Sequence, residues 1–220
     1  MAQSAEALQA ALRDVLARHG ADSDAAHDVA HADRVWLNAK HIAAGENFDD
    51  LPALMAAAYL HDLVTLPKDH PDRARASQMS ASAAQPILLD QGFDPEKIAA
   101  IQHAIAAHSF SANIPCDTPL ARILQDADRI ESLGAIGLAR CFAVSGGLNR
   151  PLFDGPDPFA TQRPLDDRQF AVDHFKAKLL RLPDTMQTKT GRDLAQKRAK
   201  VLRVFLQNLA VELGHDAPDW

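Results

Sequence analysis

His61 and Asp62 stand side by side at the end of an apolar stretch, L-M-A-A-A-Y-L-H-D-L, and chemistry is first indicated there. Burying that stretch carries an imidazole and a carboxylate to the edge of the core, where a charge needs partners. A metal ion satisfies both groups, and so does a local cap or salt bridge. The doublet has company, however. His31 lies upstream in H-A-D-R-V, and Q-D-A-D-R-I at 125–130 places Asp126 and Asp128 downstream. A His, a His-Asp doublet about 30 residues on, and an Asp about 65 residues later can reach one ion from three helices. Two imidazole nitrogens and two carboxylate oxygens leave positions open for water or substrate. This borderline-to-hard set suits Mn²⁺, Fe²⁺, Co²⁺, Ni²⁺ or Mg²⁺ better than a closed structural zinc site.

Other residue groupings carry less. His27 and His31 are spaced i, i+4, but D-V-A lies between them, so the H-E-x-x-H pattern of a metalloprotease is not present. Cys116 and Cys141 make neither a disulfide framework nor a zinc cluster, and no nearby His activates either thiol. S-G-G-L-N at 145–149 reads as a turn, because it lacks the strand and helix of a phosphate-binding loop. Lys68, Arg73 and Arg75 follow the doublet closely; by themselves they read as solvated charges.

The elements that must position these groups are helical. The chain of 220 residues holds 41 Ala and 26 Leu against 9 Val and 9 Ile, which argues against an all-β fold. A hydrophobic fraction of 47% provides for a core and excludes global disorder. A net charge of −6 gives no electrostatic footprint for duplex nucleic acid. No run of apolar residues is long enough to span a membrane, and the first residues do not read as a secretory signal. With only two Cys, these features place the expected chain in the cytoplasm.

Punctuation sets out seven or eight helices and no strand. Ser4 caps a first helix that Gly20 ends, and a second runs from about Asp24 to Ala44. Asp49 or Asp50 with Pro52 opens a third, and residues from about Arg73 to Gln91 form a fourth, broken or kinked near Pro86. Asp94-Pro95 opens a fifth through His108, and Thr118-Pro119 a sixth through about Phe142. The segment 145–166 holds four prolines and reads as the one long loop; helices over about 167–182 and 191–213 follow. The expected organisation is a single helical domain over 1–220, with a C-terminal helical pair over 167–213. On the sixth helix, Asp126 and Asp128 flank opposite sides of the apolar face of Leu120, Ile123, Leu124 and Ala127, so periodicity leaves the choice between them open.

The ordered H…H-D…D pattern resembles the HD superfamily of metal-dependent phosphohydrolases. The contexts H-A-D-R-V, A-Y-L-H-D and D-A-D-R-I carry that resemblance over about residues 24–140, the expected metal-binding core. L-P-K-D-H-P-D-R-A-R-A-S, A-I-A-A-H-S-F-S and Q-D-A-D-R-I-E-S-L-G-A-I-G are similar to a bacterial subgroup of small stand-alone HD proteins. Some members of that subgroup are nucleoside-triphosphate pyrophosphohydrolases. The resemblance implies an all-α HD-type bundle and a single divalent ion, Mn²⁺ favoured, held by His31, His61, Asp62 and Asp128. It prefers Asp128 to Asp126 through the A-D-R context.

It further implies a small phosphorylated substrate, a nucleotide, with Asp62 and Lys68 as catalytic residues and Lys68, Arg75 and His108 as phosphate-binding groups. The proline-rich loop and T-K-T-G-R at 188–192 are the segments expected to cover the site. Nucleotide phosphomonoesterase or cyclic-nucleotide phosphodiesterase activity needs the same metal and water. A metal-assisted lyase or hydratase, and a ligand-binding sensor without turnover, are the alternatives of a different class.

Overall fold

A computed structural model of the chain describes residues 4–19, 29–66 and 70–220. Among them are nine α-helices and no strand, so the fold is all-α as composition requires. The helices are α1 (Ala5–His19), α2 (Val29–Glu46), α3 (Leu51–Leu60), α4 (Ala76–Asp90), α5 (Pro95–His108), α6 (Pro119–Ile130), α7 (Gly134–Gly147), α8 (Asp173–Ala177) and α9 (Lys189–Leu213). Short 3₁₀ turns occupy Arg73–Arg75, Phe110–Ala112 and Leu179–Thr185.

Side-chain caps start the helices where the sequence places them. The Ser4 hydroxyl accepts from Ala7 N, Asp50 Oδ1 from Ala53 N, Asp94 Oδ1 from Lys97 N, and Thr118 Oγ1 from Ala121 N. Each satisfies one amide of a helix's first turn, which has no partner within the helix.

The chain divides into two compact units, 1–128 and 129–220. The boundary falls in α6, and the proline-rich segment lies wholly inside the second unit. In the first unit, α3 is the central element. Every residue from Ala53 to Leu60 is buried, and α1, α2, α4 and α5 all pack on it. A helix apolar on all sides can only be an interior one. Its C-terminus therefore delivers His61 and Asp62 to the interior of the unit. In the second unit, α7 packs on α9, and Phe142, Phe175 and Phe205 form an aromatic cluster with ring centroids 5.4–6.0 Å apart.

The structure differs from the sequence reading in several places. The helix expected to run through Phe142 is two helices, because the chain turns at Glu131–Leu133 and Gly134 takes a left-handed φ of +70° that favours glycine. Gly137 then lies so close to Ser132 that a Cβ would fall 2.2 Å from its carbonyl oxygen. Pro86 does not break α4, since it sits on the exposed face, where water can satisfy the carbonyl it frees.

Only five residues of the expected 167–182 helix become α8. The stretch before it is held by local bonds instead: Asp166 Oδ1 accepts from Arg168 N and Gln169 N, and buried Asp173 accepts from Asp166 N. Finally, Thr188 caps α9 through Gly191 N at 2.9 Å, and the rest of T-K-T-G-R forms that helix's first turn, so the helix starts slightly before position 191.

Candidate metal centre

Four helices of the first unit end on, or carry, the polar residues in question. His31 lies on α2, His61 caps the C-terminus of α3 with Asp62 next, His108 is the last residue of α5, and Asp128 lies on α6. His31, His61 and His108 are buried, while Asp62 and Asp128 are partly exposed. The Nε2 atoms of His31 and His61 face each other at 3.3 Å. Asp62 Oδ2 is 3.3 Å from His61 Nε2 and 3.9 Å from His31 Nε2; Asp128 Oδ1 is 3.8 and 3.5 Å from the same two atoms. Asp62 uses its other oxygen on a third ring, with Oδ1 3.5 Å from His108 Nε2.

Helix ends explain why the rings point this way. The last carbonyls of a helix have no partner within it. His61 Nδ1–H donates to Ala58 O at 2.8 Å, and His108 Nδ1–H donates to Ile105 O at 2.6 Å. Each ring is tied to a carbonyl three residues back, which leaves Nε2 facing the cluster. A hydrogen bond that fixes the tautomer is the usual support of a metal-binding imidazole.

The donor set fits a divalent cation. Ligands about 2.1 Å from one ion lie about 3.0–3.4 Å apart for bond angles between square and tetrahedral. The shorter donor pairs fall in that range. Two neutral nitrogens facing each other at 3.3 Å repel unless a proton or a cation lies between them. In the metal-free protein that positive charge is a proton. Burial, the largest single influence, lowers the affinity of His61 for it. The charge of Asp62, its hydrogen bond and the charge of Asp128 prevail, and the His61 pKa is pushed up to about 9. Asp62 moves the other way: burial raises its pKa, but the His61 charge and the hydrogen bond from His108 hold it well below the ordinary carboxylate range. A divalent ion would take the place of that proton.

The sequence-predicted residues are thus brought together at His31, His61, Asp62, Asp128 and His108. Asp126 is fully buried and lies outside the groups of donors that converge. Lys68 and His27 lie outside the described residues. Arg75 is exposed on the 3₁₀ turn with Nη1 3.5 Å from Asp72 Oδ1, whereas Arg73 donates to Leu66 O at 2.7 Å. His103 is half-buried on α5, outside the cluster.

Several buried polar residues that support the site escaped the sequence reading. Asn38 donates from Nδ2 to Ala127 O, beside Asp128. Ser77 Oγ donates to Ala106 O and Gln125 Nε2 to Ala107 O, so the carbonyls before His108 are held by α4 and α6. Ser80 Oγ accepts from Val64 N just after the doublet. A signal existed for Asn38, which sits on the apolar stripe of Val35, Ala39 and Ile42. Ser77 and Ser80 similarly share the buried face of Ala81, Ala84 and Leu88.

Comparison with known proteins gives this geometry its family. The model of the HD domain matches residues 28–133. The Bacillus subtilis protein YpgQ is 33% identical over 201 residues, 89% of each chain. This chain belongs to the HD-domain family. Solved HD-family relatives have the same fold. YpgQ in complex with ADP superposes with a TM-score of 0.72 at 29% identity, covering 93% of this chain and 94% of that one. An HD-superfamily hydrolase from Bacillus thuringiensis gives 0.72 at 25% identity, covering 95% and 97%. Among the described residues no helix is long and apolar enough to cross a membrane.

Proposed function

We propose that this HD-family protein is a metal-dependent phosphohydrolase acting on nucleotides, and that it releases pyrophosphate from a nucleoside triphosphate. The convergence of His31, His61, Asp62 and Asp128, with His108 on the free oxygen of Asp62, carries the reading. ADP in the YpgQ complex supports a nucleotide as ligand. The four residues would hold Mn²⁺ or a similar ion, which supplies Lewis-acid polarisation of a phosphoryl group and activation of water.

The chain's own groups do the rest. Water attacks the α-phosphorus, the bond to the bridging oxygen of the β-phosphate breaks, and a nucleoside monophosphate and pyrophosphate leave. Asp62 orients that water and accepts its proton at Oδ1. His108 Nε2, fixed by its bond to Ile105 O, faces the same side and binds a phosphoryl oxygen. Arg75, and Lys68 by the resemblance, neutralise charge on the phosphates.

A panel of NTPs, dNTPs, nucleoside monophosphates and cyclic nucleotides, assayed with Mn²⁺, Co²⁺ and Mg²⁺, tests this. Monophosphate and pyrophosphate from the triphosphates is the expected product pattern. Release of inorganic phosphate from monophosphates, or opening of cyclic nucleotides, would instead assign the esterase or diesterase reaction. Folded, metal-loaded protein that hydrolyses none of them ends the proposal.

A further inference from the structure

Two polar pairs tie α2 to α3, and only one of them belongs to the metal centre. His31 meets His61 at the cluster; two residues along each helix, the Tyr59 hydroxyl donates to Asp33 Oδ1 at 2.6 Å. Residue numbers rise along α2 as they fall along α3, so the two helices run antiparallel in this register. The second pair lies about 3 Å along the axis from the first. α1 closes the second pair. Gln9 Nε2 donates to the Tyr59 hydroxyl at 2.8 Å, and Arg13 Nη1 lies 2.8 Å from Oδ1 and 2.7 Å from Oδ2 of Asp33.

Tyr59 is the one polar side chain in the buried stretch Ala53–Leu60, and it is 1% exposed. The rest of that stretch is Ala, Leu and Met, whose burial is favourable but without direction. A slip of one residue would move His61 by about 1.5 Å and turn it by about 100°. A hydrogen bond is directional, and a buried one that is lost leaves a polar group unsatisfied, so Tyr59 and Asp33 oppose such a slip. Resting on the metal-site reading above, we infer that Tyr59 is a positioning residue for the metal centre. With Asp33 it fixes the register of α3 on α2 and so holds His31 and His61 at ligand spacing.

Metal binding by the full chain tests this, read as Mn²⁺ affinity by calorimetry and as the visible absorption of the Co²⁺ form. Tyr59→Phe keeps the ring and removes the hydroxyl. It is expected to weaken Mn²⁺ binding about 10-fold, the lower end for loss of a group that orients metal ligands, and to shift the Co²⁺ bands. Asp33→Asn loses the charge but keeps an acceptor for Tyr59, and is expected to bind as the wild type does. Asp33→Ala is expected to match Tyr59→Phe, and the double variant to be no weaker than either, because the two side chains act as one contact. Thr188→Ala removes the cap of α9 in the second unit, which controls for stability and leaves affinity unchanged.

Wild-type affinity and spectrum in Tyr59→Phe would overturn the inference, as would equal weakening by Thr188→Ala. Weakening by Asp33→Asn equal to that by Asp33→Ala would also overturn it, by making the charge responsible instead of the hydrogen bond. If the wild type binds neither ion, the metal-site reading fails. The imidazole ¹⁵N resonances of His31 and His61 in the metal-free protein then decide: a shift in Tyr59→Phe supports the positioning role, and unmoved resonances end it.

Discussion

Two groups of partly or fully buried charges, one in each unit, are neutralised in opposite ways. In the second unit, Arg163 forms a bidentate pair with fully buried Asp173, Nη1–Oδ2 2.6 Å and Nη2–Oδ1 2.8 Å. Asp166 N adds a third bond to that carboxylate at 2.7 Å, and the guanidinium also lies over the ring of Phe170. A permanent cation, planar and matched to its partner, completes this cluster from within the chain. In the first unit, the partners facing Asp62 and Asp128 are imidazoles, whose charge is conditional. Two of those rings direct Nε2 at each other. A cluster closed by arginine is structural; one closed by imidazoles that a proton or metal must bridge is available for chemistry.

His61→Ala is expected to remove bound metal, read by elemental analysis, and to lower the proposed phosphohydrolase activity by on the order of 10²–10³-fold, with helical circular dichroism preserved. Equal metal content in mutant and wild type would show that the cluster is not the metal site.

Asp173→Ala probes the other side. It leaves Arg163 without its main partner and is expected to destabilise the protein by about 3 kcal/mol in denaturant unfolding. Metal content in the protein that remains folded stays unchanged. Loss of metal on this substitution would dissolve the distinction between the two clusters.

The smallest effect sharpens the contrast through pH. His61 in the metal-free protein is raised from 6.5 to about 9, so its contribution to stability is complete below 6.5 and is lost as pH rises through about 9. Asp62, lowered, contributes above the ordinary carboxylate range and loses that contribution only in acid. Metal-stripped protein is therefore expected to lose several degrees of Tm between pH 7 and 10. Mn²⁺, by binding the deprotonated ring, is expected to remove that decline. A Tm that falls equally with and without Mn²⁺ would contradict the bridging proton.

Much of this was legible in residue types and order. Ala and Leu against few β-branched residues specify helices, and Ser4, Asp50, Asp94 and Thr118 mark their starts because capping is a contact over three residues. The family pattern of His31, His61–Asp62 and Asp128 is likewise one of order and local context. The turn at Gly134 was harder to read, since glycine inside a helical pattern is tolerated until the backbone takes a positive φ. The shortness of α8 depends on Arg163 and Asp166 reaching Asp173, which periodicity does not encode.

By itself, then, the sequence determined an all-helical chain with a fully apolar helix ending in His-Asp, because propensity, capping and hydrophobicity act locally. Only the tertiary structure decided that Asp128 and not Asp126 brings an oxygen to the imidazoles, since both flank the apolar face of α6 and packing alone selects between them. It also decided that Ala58 O and Ile105 O aim the rings, and that Asn38, Ser77 and Gln125 brace the helix ends beneath them. Those choices depend on which unpaired carbonyl meets which buried donor, and that follows from how the helices pack.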